Sequence, residues 1–137
     1  MDVTNVQVNF TISSENDFCH EELTERIGLK PTYLRKKGEL LKNGRKFHLS
    51  EWGIGTEYEP SLNIDNQLFK ITEQLIGKEC IINDMCYKNS AKCHFVIVIN
   101  VEEGKIPVMA FDQDFIHFAS SINAQVGFDL YVFTLDK

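Results

Sequence analysis

Residues 6–13 carry the clearest pattern in the chain, a strict alternation of apolar and polar side chains. The apolar positions are Val6, Val8, Phe10 and Ile12, and the polar positions between and after them are Gln7, Asn9, Thr11 and Ser13. Successive side chains of a strand point to opposite faces of its sheet. This period of two therefore predicts a strand with one buried face and one face in contact with water.

Three segments show the apolar spacing of helices. Apolar residues three and four positions apart predict helices over residues 17–28, 64–77 and 113–123. Gly28 suits the left-handed position that closes the first helix, and Asp112 suits the N-cap of the third.

The remaining apolar segments predict further strands and one short helix. Residues 95–101 are apolar at nearly every position, which predicts a strand covered on both faces. Residues 47–54, 108–111 and 128–135 predict three more strands, and residues 81–89 a short helical piece.

Together these elements predict an α+β two-layer sandwich. We expect a mixed or mainly antiparallel sheet of about five strands with helices packed against it, in a single domain over residues 1–137. Five residues on the apolar sides of these elements are predicted to be buried: Phe10, Val96, Val98, Ala119 and Phe128.

Charge is distributed unevenly along the chain. Residues 30–46 hold seven basic residues against one acid, whereas the rest holds seven basic residues against nineteen acids. The net charge of -6 favours solubility and argues against nucleic-acid binding, which depends on Lys and Arg at phosphates. We therefore expect no nucleic-acid partner, and an acidic surface suited to a protein partner with a basic surface.

Five residues in and after this basic loop are candidates for a binding site. They are Arg35, Lys36, Lys37, Trp52 and Tyr58. Exposed Lys and Arg attract anions, and Trp is a favoured anchor of binding surfaces. Two plainer interpretations stay open: the loop is only a solvated charged segment, and Trp52 fills the core.

No motif for catalysis, metal or cofactor binding is present. The four cysteines lack the C-x-x-C spacing of zinc sites, so we predict no bound metal, and we expect no cofactor. We also predict no disulfide, because the sequence shows no secretion signal. A catalytic pair such as Cys19 with His94 or His117 would depend on the fold. Carboxylate pairs such as Asp112 and Asp114 occur at predicted helix starts, where acids are expected for solubility and the helix dipole.

The lengths of the hydrophobic segments indicate the cellular location of the protein. The longest apolar stretch, residues 95–99, is far too short to span a bilayer. Residues 1–20 show neither a basic region nor an apolar run of the kind found in a signal peptide. We therefore expect a cytoplasmic protein with no membrane partner, in which the cysteines are reduced.

Short motifs spread over the chain resemble one protein family. They are Phe10-Thr-Ile12, Leu23-Thr24, Ile27-Gly28-Leu29-Lys30-Pro31-Thr32, Lys37-Gly38-Glu39, the lone Trp52, and Ser121-Ile122-Asn123-Ala124 running into Phe128-Asp129-Leu130-Tyr131. From about Val6 to Tyr131 the chain resembles the domain of unknown function 4279 family of small bacterial proteins. The resemblance implies a single α+β domain and supplies no catalytic residues.

The sequence therefore favours a non-enzymatic protein-binding module. Small acidic proteins of this kind are similar at class level to immunity proteins, so an inhibitor of a bacterial toxin is the sharpest form of this hypothesis. The alternative is a protein that binds a small anion, or an enzyme, with a site between the basic loop 30–46 and Trp52. The sequence does not indicate an oligomeric state.

Overall fold

The alternating segment at the start of the chain forms the central strand of a sheet. In the computed structural model, which describes residues 2–135, this strand, β1, spans Asn5–Ser14. The other elements in that range are α1 (His20–Ile27), β2 (Tyr33–Arg35), β3 (Ser50–Gly55), β4 (Glu59–Pro60), α2 (Asp65–Leu75), α3 (Glu79–Asn89), β5 (Lys92–Glu102), α4 (Gln113–Ser121) and β6 (Gln125–Phe133).

The strands form one open, mixed sheet. Its order is β2-β3-β1-β5-β6, and the short strand β4 pairs with the start of β1 beyond β3. The β5–β6 pair is parallel, and the other pairs are antiparallel. The predicted α+β class with a mixed sheet is confirmed, with six strands in the described range where about five were expected.

The core lies between the sheet and the helices. The apolar face of β1 is fully buried, as are the alternate residues from Phe95 to Ile99 on β5. Each helix contributes apolar residues to the same cluster, among them Leu23 of α1 and Leu68 of α2. The opposite face of the sheet carries the polar residues of β1, so one face is covered by helices and the other is not.

The helices agree with the sequence pattern. Each of the three predicted helices forms inside its predicted segment, and the short helical piece forms as α3. Gly28 adopts the left-handed conformation (φ 77°) that closes α1, and the Asp112 side chain accepts a hydrogen bond from the Phe115 amide at the start of α4. None of the helices in the described part of the chain is long and apolar enough to cross a membrane.

The prediction of a strand over residues 108–111 is wrong. Only Val108 forms an isolated bridge, to Asn63, and the rest of the segment has no regular structure. The sheet position beside β5 is taken instead by β6, which pairs with it in parallel. Because parallel neighbours need a crossover connection, this segment and α4 together carry the chain between the two strands.

The predicted core is partly confirmed. Phe10 and Ala119 are buried, at 0% and 6% exposure. Val96 and Val98 are only half-buried because they lie on the uncovered face of β5, so the prediction of a strand covered on both faces is wrong. Phe128 is 37% exposed because β6 lies at the edge of the sheet.

Candidate functional site

The three basic candidates lie at the end of β2, and all are exposed. The Arg35 guanidinium lies 3.7 Å from the Glu51 carboxylate, and its Cζ lies 5.0 Å from the centroid of the Phe47 ring. Lys36 and Lys37 follow in the loop. The three basic candidates therefore face water, and Arg35 already contacts Glu51 and Phe47 within the chain.

Trp52 lies in the core. Its exposure is 0%, and its Nε1 donates a hydrogen bond to Thr24 Oγ1 at 3.0 Å. The indole is thus held between β3 and α1, with its one polar atom satisfied. Of the two interpretations of this residue, the structure shows the core one, and the ring offers no surface to a ligand beside the basic loop.

Tyr58 lies at the other end of the sheet. It is 43% exposed and immediately precedes β4, which pairs with Asn5 and Val6 at the start of β1. Arg35 pairs with Glu51 near the last residues of β1. Glu59, next to Tyr58, pairs with Val6, and Glu51 pairs with Ser13, seven residues further along β1, which corresponds to about 24 Å. The structure therefore does not bring Tyr58 together with the basic candidates.

On the uncovered face of the sheet, several polar side chains of β1 are hydrogen-bonded to other strands. The Thr11 hydroxyl bonds to the Tyr33 phenol, and Ser13 Oγ lies 2.7 Å from His94 Nε2. Gly53 lies beneath the Tyr33 ring, where a Cβ atom would overlap it. His94, one of the candidate partners of a catalytic cysteine, is thus bonded to a serine in this structure.

Tyr33 supplies a testable property of this face. Burial raises its pKa above the usual value, and the hydrogen bond to Thr11 opposes that shift. A raised folded pKa means that stability is retained below the unfolded pKa of about 10 and falls as pH rises above it. We expect Tyr33→Phe to cost about 1 kcal/mol at neutral pH and to reduce the alkaline loss of stability.

Denaturant unfolding of the wild type and Tyr33→Phe at a series of pH values from neutral to strongly alkaline measures both effects. Tyr87→Phe is the matched control because Tyr87 is 91% exposed on α3. An equal alkaline loss in wild type and Tyr33→Phe would contradict the role of the Tyr33 phenol.

Two of the four cysteines lie together in the interior. Cys86 and Cys93 have their sulfur atoms 3.5 Å apart. The hydrogen-bonded Cys86 sulfur and burial raise the pKa of Cys93, whereas the hydrogen bond from Cys93 lowers the pKa of Cys86. All four cysteines are free thiols. Within residues 2–135, no cluster of three or more His, Cys, Asp or Glu side chains is arranged to hold a metal ion.

Two of the larger clefts carry charges of both signs. One of about 590 Å³, at the start of β1, is lined by Glu102 and Lys105. Another, of about 370 Å³ at the end of β1, is lined by Glu15 and Lys92. Because opposite charges face each of these two clefts, neither presents a field of one sign, which would concentrate a charged ligand. A third cleft, of about 390 Å³, has Glu102 and Glu103 among its lining residues and no basic side chain among the described residues that line it.

A smaller cavity between α2 and α4 is also acidic. It measures about 120 Å³, and it is lined by three carboxylates, Asp65, Asp112 and Asp114, and by no basic side chain. Phe69 and Ile76 also line it and are 58% and 59% exposed. This acidic α2–α4 surface thus combines exposed apolar side chains with charge of one sign.

Sequence reasoning did not single out this surface. Asp112 and Asp114 stand at a predicted helix start, where acids are expected, and Asp112 does cap α4. The signal that could have found the surface is Phe69, a large apolar residue next to Leu68 but off the buried stripe of α2. One exposed aromatic is common on a protein surface, but Phe69 and Ile76 line the same cavity, and neighbouring exposed apolar residues are typical of contact surfaces.

The fold and these surfaces define a small α+β protein with one uncovered sheet face and an acidic α2–α4 surface. Residues 4–133 match the family described as a domain of unknown function (DUF4279). The match covers nearly the whole chain, so the chain belongs to this family. No curated protein and no solved structure matches it.

Proposed function

We propose that this chain is a non-enzymatic protein-binding module and that it binds a partner with a basic surface. The observation that carries the proposal is the acidic α2–α4 surface, where Phe69 and Ile76 are exposed among three carboxylates. Binding surfaces commonly place an aromatic anchor within a polar rim. The charge of the chain outside the basic loop also supports a basic partner, since residues outside 30–46 include nineteen acids and seven basic residues.

In its sharpest form the proposal is an immunity-type inhibitor of a bacterial toxin. The carboxylates would raise the rate of encounter with a basic toxin, and Phe69 would pack into a pocket beside the toxin's active site. The same proposal places the chain in the cytoplasm, where its four free thiols stay reduced. Growth rescue on co-expression with a toxic neighbouring gene product tests this form directly.

The surface itself is tested with single exposed side chains. The partner is first captured from cells of the source organism with the wild-type chain, identified and purified. We expect Phe69→Ala to raise the Kd for that partner at least about tenfold, because an anchor residue contributes more than about 1.4 kcal/mol. Asp114→Asn should slow association and weaken its dependence on salt. Isothermal titration and stopped-flow kinetics measure these effects.

The basic loop provides the matched control. The triple change Arg35→Ala, Lys36→Ala and Lys37→Ala alters three exposed charges in the basic loop, outside the residues that line the α2–α4 surface. We expect it to leave the Kd unchanged or lower it, since it makes the chain more acidic. Loss of binding in the triple variant, with Phe69→Ala unaffected, would instead favour an anion-binding function of the loop.

A further inference from the structure

The two edges of the sheet differ in how well they are protected. At one edge β2 has three residues, includes Arg35 and leads into the basic loop. Short strands with charged residues are a common protection against strand addition. At the other edge β6 has nine residues, contains no proline, lysine or arginine, and carries one charge, Asp129. Within residues 2–135 no strand pairs with the outer side of β6.

The backbone groups on the outer side of β6 can be assigned. The Phe133 carbonyl accepts a hydrogen bond from the Glu103 amide at 2.9 Å, so residue 133 directs its carbonyl towards β5. Backbone groups alternate in direction along a strand. The residues whose N–H and C=O groups point outwards are therefore Val126, Phe128, Leu130 and Val132.

Three of these four residues also expose apolar side chains. Phe128, Leu130 and Val132 pair with Ile97, Ile99 and Val101 of β5 and share their core-facing side of the sheet. Their exposure rises along the strand, from 37% to 52% to 69%. The Phe128 ring is stacked on Phe111, with centroids 5.9 Å apart. The helical layer therefore covers the start of β6 and leaves its end bare.

We propose that β6 pairs in antiparallel orientation with β6 of a second copy of this chain. The two-fold axis passes midway between Leu130 of one copy and Leu130 of the other, so these two residues lie opposite each other. Phe128 of each copy then lies opposite Val132 of the other. Both pairs consist of residues with outward backbone groups, so each exchanges two hydrogen bonds. The two sheets join into one continuous sheet, and the bare apolar strip of each copy covers that of the other.

The chemistry of the strand favours a second copy over an unrelated partner, because the strand is complementary to itself. In the register centred on Leu130, Asp129 lies opposite Tyr131, whose phenol can donate to the carboxylate. A register centred on Asp129 would place two carboxylates directly opposite, which is unfavourable.

The area of the interface follows from the size of the edge. The edge is about 30 Å long and two layers, about 20 Å, deep, so it offers on the order of 600 Å² per copy, at the lower limit for specific complexes. The dimer is therefore concentration-dependent.

Sedimentation velocity over a wide range of protein concentrations tests this pairing. We expect the wild type to pass from monomer to dimer, and Leu130→Lys to remain a monomer where the wild type is a dimer, because like charges then meet at the axis. Leu34→Lys is the matched control, since Leu34 is 46% exposed on β2 at the opposite edge. It should dimerise as the wild type does.

The register is tested by a charge pair. Leu130→Glu alone should be a monomer, and an equimolar mixture of Leu130→Glu with Leu130→Lys should dimerise, because position 130 faces itself. Circular dichroism confirms that each variant is folded. A wild type that stays monomeric throughout, a dimer that survives Leu130→Lys, or one that Leu34→Lys abolishes would each overturn the proposal. A mixture that stays monomeric would overturn the register.

Discussion

Replacing Trp52 with alanine is expected to lower the free energy of unfolding by about 3–5 kcal/mol, the range for removing a large buried aromatic. The indole is fully buried, so its removal leaves a cavity that the surrounding sheet and helix cannot fill. The Thr24 hydroxyl also loses the indole N–H as a hydrogen-bond partner. Equilibrium unfolding in guanidinium chloride measures the loss.

The control for this change is Trp52→Phe, which keeps much of the apolar volume and should cost clearly less. If Trp52→Ala lowered the free energy of unfolding by less than about 1 kcal/mol, the indole would not be packed as described. A role of Trp52 in surface contacts would then have to be considered again. Binding of the captured partner should be unaffected by Trp52→Phe, because the ring lies away from the solvent.

A second large effect is expected at Phe95, in the middle of β5. Its ring lies 5.1 Å from the ring of Phe10 and 5.1 Å from that of Phe115, centroid to centroid, and it is fully buried. Phe95→Ala should therefore cost about 3–5 kcal/mol. Phe128→Ala removes the same side chain from the sheet edge, where 37% is exposed, and should cost about 1–2 kcal/mol.

Because both variants remove a phenylalanine, any difference between their losses of stability reflects how deeply each side chain is buried. Both are measured by denaturant unfolding, at protein concentrations low enough to keep the chain monomeric. Equal losses at the two positions would contradict the assignment of β6 to an exposed edge. A larger loss at Phe128 would show that the covered face extends beyond β5.

The alternation of β1 predicted its strand correctly because this strand lies in the middle of the sheet. With neighbours on both sides, it needs one apolar face against the helices, while its other face can stay polar. The helices were predicted for a similar reason, since each has a buried stripe and its own closing signal, as Gly28 shows for α1. The local sequence pattern is enough to predict an element when buried and exposed positions recur regularly along its whole length.

The strand β5 shows where this reasoning fails. Valine occupies positions 96 and 98 on the uncovered face, so both faces are apolar and the period of two is hidden. Apolar composition cannot distinguish a strand buried on both faces from one whose open face carries β-branched residues. For the same reason the sequence did not show that β6 is an edge strand. The exposure of its apolar side chains depends on whether another strand or helix lies beside it, and the sequence pattern does not reveal this.

The short strands and the acidic α2–α4 surface could not be predicted for a different reason. The strands β2 and β4 have three and two residues, too few for any period, and they form because β3 and β1 offer them partners. The cavity between α2 and α4 joins Asp65 to Asp112 and Asp114 across more than forty intervening residues. Only the packing of the helices brings them together.

The position of β1 in the sheet affects how the chain can fold during synthesis. This strand leaves the ribosome before β3 and β5, which lie on either side of it, and its longest pairing joins Asn5 to Asn100. Contacts so distant in sequence make folding slow, because the intervening chain must be closed before they form. One edge of β1 therefore stays without its strand partner until β5 has emerged, and we expect the incompletely covered strand to be open to chaperones in that interval.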